Sequence, residues 1–440
     1  MESRLDPAVF AARRAAFLER MGEGVALFAA APVRTRNRDV EYPYRPDSDF
    51  YYLTGCAEPE AVAVLAPGRE PGPFLLFVRP RDPDRELWTG PRLGTEGAVE
   101  RLGADEAFPI GEIDERMPGL LEGVERLVYP FGRDDDLDRR VAFWINQVRA
   151  KARSGVRAPR VVVDAAALLH EQRLFKDEAE IALIREACAV TARGHAAAMR
   201  VAAPGVFEHQ VQAAIEAAFL EAGATWSYPP ICASGANACT LHYVANRRRM
   251  EAGDLLLVDA GAEVDLYAGD VTRTFPVSGR FRGAQRDCYE VVLAAQQEAI
   301  ARIRPGARWD EPHRAAVEVL TQGMVDLGLL AGDVAELVAS EAYKRFYPHR
   351  TGHWLGMDVH DVGDYRDAGG WRRLEPGMVF TVEPGLYVAP GDGVPERFAG
   401  IGIRIEDDCR VTETGCEVLT AAVPKEAEAV EAAVRGEPTG

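Results

Sequence analysis

Hydrophobic positions in the first part of the chain fall into short runs that turn residues interrupt. The runs AVAVLAPG, PFLLFVRP and RLVYPFG are separated by segments with helical spacing. Short apolar runs bounded by glycine and proline are typical of strands, so the pattern predicts a mixed α/β unit. A capping-box pair, Asp177 with Glu180 three residues later, then indicates the start of a long helix. We place a domain boundary near residue 173, because a chain of 440 residues is too long for one ordinary core.

Beyond this boundary the pattern predicts helices first, and then strands and helices in alternation. The predicted helices cover KDEAEIALIREACAVTARGHAAAMR, FEHQVQAAIEAAFLEAG, 283–302 and 310–328, and the tail KEAEAVEAAVRGEPTG is predicted as a frayed helix. The predicted strands cover 255–262, 267–277, MVFTVEP and IGIRIEDDCRVT. The predicted fold class is therefore α/β (α+β), with an amino-terminal mixed α/β domain over residues 1–173 and a second domain over residues 174–440.

Composition and charge narrow the class of protein. The chain is 47% hydrophobic and 27% charged, which is typical of a globular protein. Its 51 basic and 69 acidic residues give a formal net charge of -18, a field that repels nucleic acid and anionic membranes. No run reaches the roughly 18 apolar residues of a membrane span, so we expect a cytoplasmic protein with no membrane or nucleic-acid partner. The seven scattered cysteines are predicted to be reduced packing residues.

Carboxylates interrupt predicted strands at positions where the pattern favours apolar residues. The run DLLLVDAG contains Asp259, and Asp270 follows in the stretch VDAGAEVDLYAGDVTRTF. The intervening GAEVDLYAG suits a turn, so the flanking strands can pair as an antiparallel hairpin that makes both acids neighbours. A single acid after an apolar run is usually a strand end or a helix cap. The hypothesis of a functional site therefore depends on the joint pattern.

Two late strands repeat this feature. In VFTVEPG, Glu383 ends an apolar strand, and in IGIRIEDD, Arg404 and Glu406 share the face opposite Ile403. Several carboxylates at close range cannot all ionise in a partly dry site unless cations compensate them. Two divalent ions would balance four such charges.

Histidines cluster between the carboxylates. The stretch HRTGHWLGMDVHD holds His349, His353 and His360, and His242 lies upstream in ACTLHYVANRR. One imidazole with four carboxylates is a mixed donor set that suits a pair of Mn, Co, Fe or Zn ions sharing bridging carboxylates. The other histidines lie on predicted helices, and we assign them no role: His170, His195, His209 and His313.

The ordered set of four acids and one histidine resembles a known family. Its contexts VDAGAEVDLYAGDVTRTF, HRTGHWLG, TVEPGLY and GIRIEDD are similar to the metal-binding segments of the dinuclear metallopeptidases of the pita-bread fold. The two-domain layout resembles the Xaa-Pro aminopeptidases (aminopeptidase P), and NRDVEYPYRPDSDFYYLTG and ELWTG are similar to their amino-terminal domain. The resemblance extends over nearly the whole chain. It implies a pita-bread (creatinase/aminopeptidase-like) catalytic domain over residues 174–440.

The resemblance also implies a set of metal ligands. Asp259 would hold one metal ion, and Asp270 and Glu406 would bridge both ions. His353 and Glu383 would complete the coordination of the other ion. Manganese is the first choice for the two divalent ions, with Co, Fe or Zn as alternatives.

Further roles around the metal ions follow from the same resemblance. Glu383 would take a proton from the attacking water, and His242 and His360 would hydrogen-bond the substrate carbonyl or the developing gem-diolate. His349 would shape the far side of the scissile bond. Arg404 is expected to pair with Asp259 or its neighbours and to orient that ligand. Structural histidines and a plain surface ion pair are the alternative interpretations, and Trp88 and Tyr387 could either line a proline pocket or pack in the core.

We therefore expect a metal-dependent exopeptidase that releases the amino-terminal residue from peptides with proline in the second position. The reaction implied is attack by a metal-bridging hydroxide. Two alternatives stay open, namely a prolidase, which accepts only Xaa-Pro dipeptides, and a non-catalytic or creatinase-like relative of the fold. The resemblance also implies a homo-oligomer, either a dimer or a tetramer. The sequence leaves open the physiological metal, the preferred first residue and the accepted peptide length.

Overall fold

The computed structural model describes residues 3–391 and 393–437. The chain divides into two compact units, Met1–Gln172 and Arg173–Gly440. Compactness alone does not test whether each part folds independently, so the domain ranges 1–173 and 174–440 stay a prediction. No helix in the described ranges is both long enough and apolar enough to cross a membrane. The seven cysteines, all within these ranges, form no disulfides, and five of them are buried.

The first unit combines a mixed β-sheet with helices. Its strands are β1 (Val25–Ala29), β2 (Thr35–Asn37), β3 (Val40–Glu41), β4 (Val62–Leu65), β5 (Phe74–Val78), β6 (Glu106–Pro109), β7 (Arg126–Tyr129) and β8 (Val161–Asp164). Its helices are α1 (Pro7–Met21), α2 (Ser48–Thr54), α3 (Pro83–Thr89), α4 (Gly94–Leu102), α5 (Ile113–Leu120), α6 (Asp135–Ala150) and α7 (Ala166–Leu174). The sheet order is β6-β5-β4-β1-β7-β8, and β2 pairs with β3 as a separate hairpin.

The core of this unit follows from the apolar runs of its central strands. Strands β4 and β5 are buried at every position, as is typical of strands in a sheet that is covered on both faces. Leu75, Phe77 and Trp144 are fully buried in one cluster with residues of β1, β7 and α6. The runs AVAVLAPG, PFLLFVRP and RLVYPFG thus provide β4, β5 and β7, as the pattern predicts.

The second unit contains the remaining elements. Its helices are α8 (Glu178–Val201), α9 (Glu208–Glu221), α10 (Ala284–Ala301), α11 (Asp310–Asp326), α12 (Val334–Ala339) and α13 (Ala427–Val434). Its first strands are β9 (Thr225–Trp226), β10 (Ile231–Ser234), β11 (Leu255–Ala260), β12 (Ala262–Val264), β13 (Tyr267–Ala268) and β14 (Val271–Pro276). Its later strands are β15 (Arg366–Asp367), β16 (Gly370–Trp371), β17 (Val379–Val382), β18 (Gly385–Val388), β19 (Ile401–Arg404), β20 (Asp407–Val411) and β21 (Cys416–Val418).

The local sequence explains where helix α8 begins. The Asp177 side chain accepts a hydrogen bond from the Glu180 amide at the start of α8, and the Glu180 side chain accepts one from the Asp177 amide. This is the predicted capping box, and such a cap contributes about 1 kcal/mol.

The helix that the sequence predicts in the carboxyl-terminal tail is α13, which ends at Val434. Residues 438–440 of this predicted segment lie outside the described residues.

Candidate metal centre

Two antiparallel strands bring the first pair of acids together. Strand β11 pairs with β14 so that Asp259 lies opposite Thr272 and Ala260 opposite Val271, which places Asp270 at the entry of β14. The hairpin that the sequence predicts is therefore present. Its connection is more elaborate than a simple turn, because β12 and β13 form a second, smaller hairpin within it.

Glycines permit this compact connection. A Cβ atom on Gly261 would lie 1.7 Å from the carbonyl oxygen of Gly269, so the two backbone segments approach too closely for any side chain. At the tip of the inner hairpin Asp265 and Leu266 adopt φ values of 46° and 69°, in the left-handed region. Two successive positive φ values are typical of the turn that joins two adjacent antiparallel strands.

Neighbouring segments add the remaining acids and the histidine. The Glu406 amide donates to the Thr272 carbonyl at 3.0 Å, which places Glu406 beside β14. The segment 351–355 runs along β17, because the Thr381 amide donates to the His353 carbonyl at 3.0 Å. Glu383, just after β17, therefore lies beside His353.

These five residues converge on one centre. Ligand atoms of Asp270, His353 and Glu406 all lie within 4.8 Å of one another. The His353 Nε2 atom is 3.4 Å from Asp270 Oδ2 and 3.7 Å from Glu383 Oε1. The Nδ1 atom of the same ring lies 3.0 Å from the Trp354 carbonyl oxygen, to which its N–H donates. With Nδ1 bound to this carbonyl, Nε2 is the ring nitrogen that faces the acids, and its lone pair would become available to a metal ion once Nε2 loses its proton.

The raised pKa values in this centre show that its carboxylates favour the binding of cations or protons. Burial, together with Asp270 and Asp259, raises the pKa of Glu383 to about 7 against the opposing effects of His353 and Arg404. Burial also raises the pKa of Glu406 well above its usual value, and the neighbouring carboxylates add to this effect. Burial alone would lower the pKa of His353, but Asp270 and Glu383 raise it to about 9. Four carboxylates, of which three are buried and Glu383 is partly buried, and one imidazole therefore fit a pair of divalent cations, which would replace the protons.

Tyr228 joins the two aspartates, and sequence reasoning missed it. Its hydroxyl lies 2.5 Å from Asp259 Oδ1 and within hydrogen-bonding distance of Asp270 Oδ1. A single hydroxyl hydrogen can be donated to only one of these carboxylates at a time. Burial and the adjacent acids raise the pKa of Tyr228 well above its usual value, so the phenol keeps its proton. No signal in SYPPICASG marks this residue, because its partners lie 31 and 42 positions away in the chain.

Arg404 occupies the predicted position next to Asp259. Its Nη2 atom lies 2.5 Å from Asp259 Oδ2, while Nη1 donates to the Tyr387 hydroxyl at 2.9 Å and Nε donates to Thr272 Oγ1 at 3.0 Å. Thr272 in turn donates to Glu406 Oε2 at 2.6 Å. Arg404 is 4% exposed, which excludes the alternative of a surface ion pair.

The other predicted histidines line the same cavity. His242, His349 and His360 share a cavity of about 510 Å³ with the four acids and the imidazole. The ring centroids of His353 and His360 are 4.3 Å apart. Burial lowers the pKa of His349 to about 3, with a further contribution from Arg404, and burial and His353 lower the pKa of His360. Both rings are therefore neutral at pH 7 and can donate or accept a hydrogen bond.

Three further residues bear on the alternative interpretations. The Nδ1 atom of His313, a residue to which the sequence assigns no role, lies 2.8 Å from Thr351 Oγ1. The carbonyl oxygen of Thr351 accepts a hydrogen bond from the Glu383 amide. Tyr387 is buried, and its hydroxyl lies 2.8 Å from His349 Nε2. Trp88, in the first unit, is 85% exposed, so the interpretation that its side chain packs in the core is wrong.

Comparisons with known proteins agree with this geometry. The model of metallopeptidase family M24 matches residues 182–413, and that of the aminopeptidase P N-terminal domain matches residues 10–129. The chain is 46% identical to the Xaa-Pro aminopeptidase of Escherichia coli over 96% of each chain, and 41% identical to that of Haemophilus influenzae over 96% of each chain. The solved structure of Pseudomonas aeruginosa aminopeptidase PepP is similar with a TM-score of 0.97, 52% identity and 99% coverage of both chains.

These matches also confirm the predicted fold class. An amino-terminal mixed α/β domain precedes a pita-bread catalytic domain, and both matched regions lie in the expected order. The full-length relatives are named as Xaa-Pro aminopeptidases. The chain belongs to metallopeptidase family M24 and carries the N-terminal domain of aminopeptidase P.

Proposed function

We propose that this protein is a metal-dependent Xaa-Pro aminopeptidase, which releases the first residue of peptides whose second residue is proline. The observation that carries the proposal is the convergence of four carboxylates and one imidazole in a single cavity of a family M24 chain. The relatives from Escherichia coli and Haemophilus influenzae, which match nearly the whole chain, support the substrate class. No feature of the described residues favours the dipeptide-only alternative or a creatinase-like role, and all five proposed metal ligands line the cavity.

Two divalent cations, with manganese as the first choice, are the cofactors that we propose. Asp259 would hold one ion, and Asp270 and Glu406 would bridge both. His353 and Glu383 would hold the other ion. When bound, such ions supply Lewis acidity, which lowers the pKa of a coordinated water and polarises a carbonyl group.

The protein groups of the site would move protons and orient the peptide. We assign the acceptance of the proton of the nucleophilic water to Glu383, a carboxylate that lines the cavity beside His353. His360 and His242 face the same cavity and would hydrogen-bond the substrate carbonyl or the gem-diolate. Arg404 would hold Asp259 in place, because it binds Asp259, Tyr387 and Thr272 at once.

Selectivity for proline requires apolar contacts, because the amide before proline has no N–H to be recognised. The His349 ring lines the cavity and packs on the buried Tyr387, with ring centroids 5.5 Å apart, so it offers a supported surface against which a pyrrolidine ring could lie. We propose His349 as the residue that shapes the far side of the scissile bond. The cytoplasmic location that we expect from the sequence and a homo-oligomeric state, dimer or tetramer, which the family resemblance implies, complete the proposal.

The test compares three substrates on metal-stripped protein, with and without added Mn²⁺. The substrates are an Xaa-Pro-Xaa tripeptide, an Xaa-Pro dipeptide and an Xaa-Ala-Xaa control. We expect tripeptide cleavage after the first residue that requires metal and is strongly reduced for the alanine peptide. Cleavage of the dipeptide alone would instead assign a prolidase activity, and inactivity with Mn, Co, Fe and Zn would overturn the proposal.

A further inference from the structure

We propose that the buried carboxylate of Glu208 is a positioning residue for His242. The inference rests on the proposed function for its kinetic test, but its structural test does not. Glu208 opens helix α9 and is fully buried, whereas His242 lies on the largely exposed segment 240–247 that borders the metal cavity. Hydrogen bonds join the Glu208 carboxylate to residues that lie before and after His242 in the chain.

Five donors converge on the Glu208 carboxylate. Oε1 accepts hydrogen bonds from the Ser234 amide at 2.8 Å, the Ser234 hydroxyl at 2.6 Å and the Asn237 side-chain amide at 3.0 Å. Oε2 accepts from the Tyr243 hydroxyl at 2.9 Å and from the Arg248 amide at 2.7 Å. The Oε1 partners precede His242 in the chain and the Oε2 partners follow it. One carboxylate therefore fixes the chain on both sides of His242.

Only an acceptor with two oxygens suits this position. An ionised carboxylate accepts through both oxygens, whereas an amide places an NH₂ group on one side. In a Glu208→Gln variant the Ser234 or Tyr243 hydroxyl could turn to accept from that NH₂ group, but the N–H donors on the same side, either those of Ser234 and Asn237 or that of Arg248, would lose their acceptor. A buried donor without a partner costs about 1–3 kcal/mol, which favours release of the weaker attachment, the segment that contains Tyr243 and Arg248.

The far end of the segment is anchored independently. Asn246 is buried with a positive φ of 47°, and its side chain binds the Cys232 amide, Gln212 and the Pro230 carbonyl at 2.8–2.9 Å. The backbone of Arg248 also pairs with Glu208, whose amide donates to the Arg248 carbonyl at 3.0 Å.

The His242 ring lies between these anchors. Leu241, His242 and Val244 line the metal cavity. No side-chain hydrogen bond within residues 3–391 and 393–437 ties the His242 ring to its surroundings. The position of that ring thus depends on the anchors on either side of it.

Trypsin provides the structural test, because Arg247 ends the segment and Arg248 and Arg249 follow it directly. We expect cleavage within residues 247–249 to be several times faster in Glu208→Gln than in the wild-type protein, with a smaller increase in Tyr243→Phe, which removes one donor. Glu180→Gln is the matched control, since Glu180 is also a buried glutamate at the start of a helix and accepts from the Tyr267 hydroxyl. Equal cleavage rates in the wild-type, Glu208→Gln and Tyr243→Phe proteins would overturn the inference.

A double-mutant cycle provides the kinetic test on the tripeptide. We expect Glu208→Gln to lower kcat/KM by about tenfold to a hundredfold, the scale on which misplacement of a catalytic group acts. In a His242→Ala background the same change should alter kcat/KM by less than about twofold, because its effect is transmitted through His242. An undiminished loss in that background, with unchanged manganese content, would show a merely structural role. An inactive wild-type protein would refute the proposed function but would leave the proteolysis result standing.

Discussion

Tyr228 shows how a single residue can support a site without belonging to its ligand set. Its hydroxyl contacts both Asp259 and Asp270, which flank the connection between β11 and β14. Groups that hydrogen-bond a metal-binding carboxylate fix its orientation and tune its affinity. Arg404 acts in the same way on Asp259 through its opposite oxygen. The orientation of Asp259 is therefore determined by two neighbours that each bind one of its two oxygens.

Replacement of Tyr228 by phenylalanine should weaken manganese binding. The change removes the hydroxyl that supports both aspartates and keeps the ring, so we expect a rise of about 10–100-fold in the Kd for Mn²⁺. Isothermal titration of the metal-free protein measures this affinity. Tyr267→Phe serves as the control, because its hydroxyl binds Glu180 instead of the metal centre. An unaltered Kd in Tyr228→Phe would contradict the supporting role of the hydroxyl.

At the scale of elements, the hairpin between β11 and β14 determines the separation of the two aspartates. Apolar alternation and turn residues predict both strands, and the capping box predicts the start of α8 within one residue. The inner hairpin was not predicted as a separate element, because its strands β12 and β13 are only 3 and 2 residues long, too short for a periodic pattern to identify. Packing against Thr191, whose hydroxyl accepts from the Ala262 amide, and the backbone contact between Gly261 and Gly269 give it its shape.

For the site as well, sequence patterns identify the candidate ligands but not the contacts that arrange them. The four acids and the imidazole are recognisable because each interrupts an apolar pattern or stands in a known context. The contacts that arrange them join residues far apart in the chain: Arg404 and Asp259 are 145 positions apart, and Thr272 and Glu406 are 134 apart. Residues such as Tyr228 and Thr272 interrupt no pattern, and only the folded chain identifies them.

Gly261→Ala should destabilise the connection between β11 and β14. The added Cβ would lie 1.7 Å from the Gly269 carbonyl oxygen, and the backbone must move to accommodate it. We expect a loss of about 1–3 kcal/mol in the free energy of unfolding together with weaker metal binding. Urea denaturation followed by circular dichroism measures the first effect. Gly415→Ala is a suitable control, since a Cβ added there would have no atom within 4 Å and its φ is not positive; equal stability of both variants would contradict the clash.

At the scale of the whole molecule, charge, metal binding and pH are linked. A net charge of -18 and a cluster of four carboxylates, three of them buried, both favour the binding of cations. Without metal, the raised pKa values of Glu383 and His353 mean that the folded protein binds more protons than the unfolded chain over part of the pH range. Metal ions and protons therefore compete for the same buried groups.

This competition predicts how the stability of the metal-free protein depends on pH. Glu383 contributes stability below about pH 4.5 that is lost as pH rises through about 7, and His353 contributes stability below about 6.5 that is lost as pH rises through about 9. We expect the difference in Tm between the manganese-loaded and the metal-free protein to grow from pH 5 to pH 9. Differential scanning calorimetry in matched buffers measures it, and a difference that stays constant or shrinks would contradict the linkage.

The central claim is that four carboxylates and one imidazole hold two divalent cations, and crystals grown with Mn²⁺ test it most directly. An anomalous difference map should contain two peaks per chain, both adjacent to Asp270 and Glu406. One peak should lie next to Asp259 and the other next to His353 and Glu383. A map with a single peak, with no peak in this cavity, or with peaks that avoid Asp270 and Glu406 would contradict the claim.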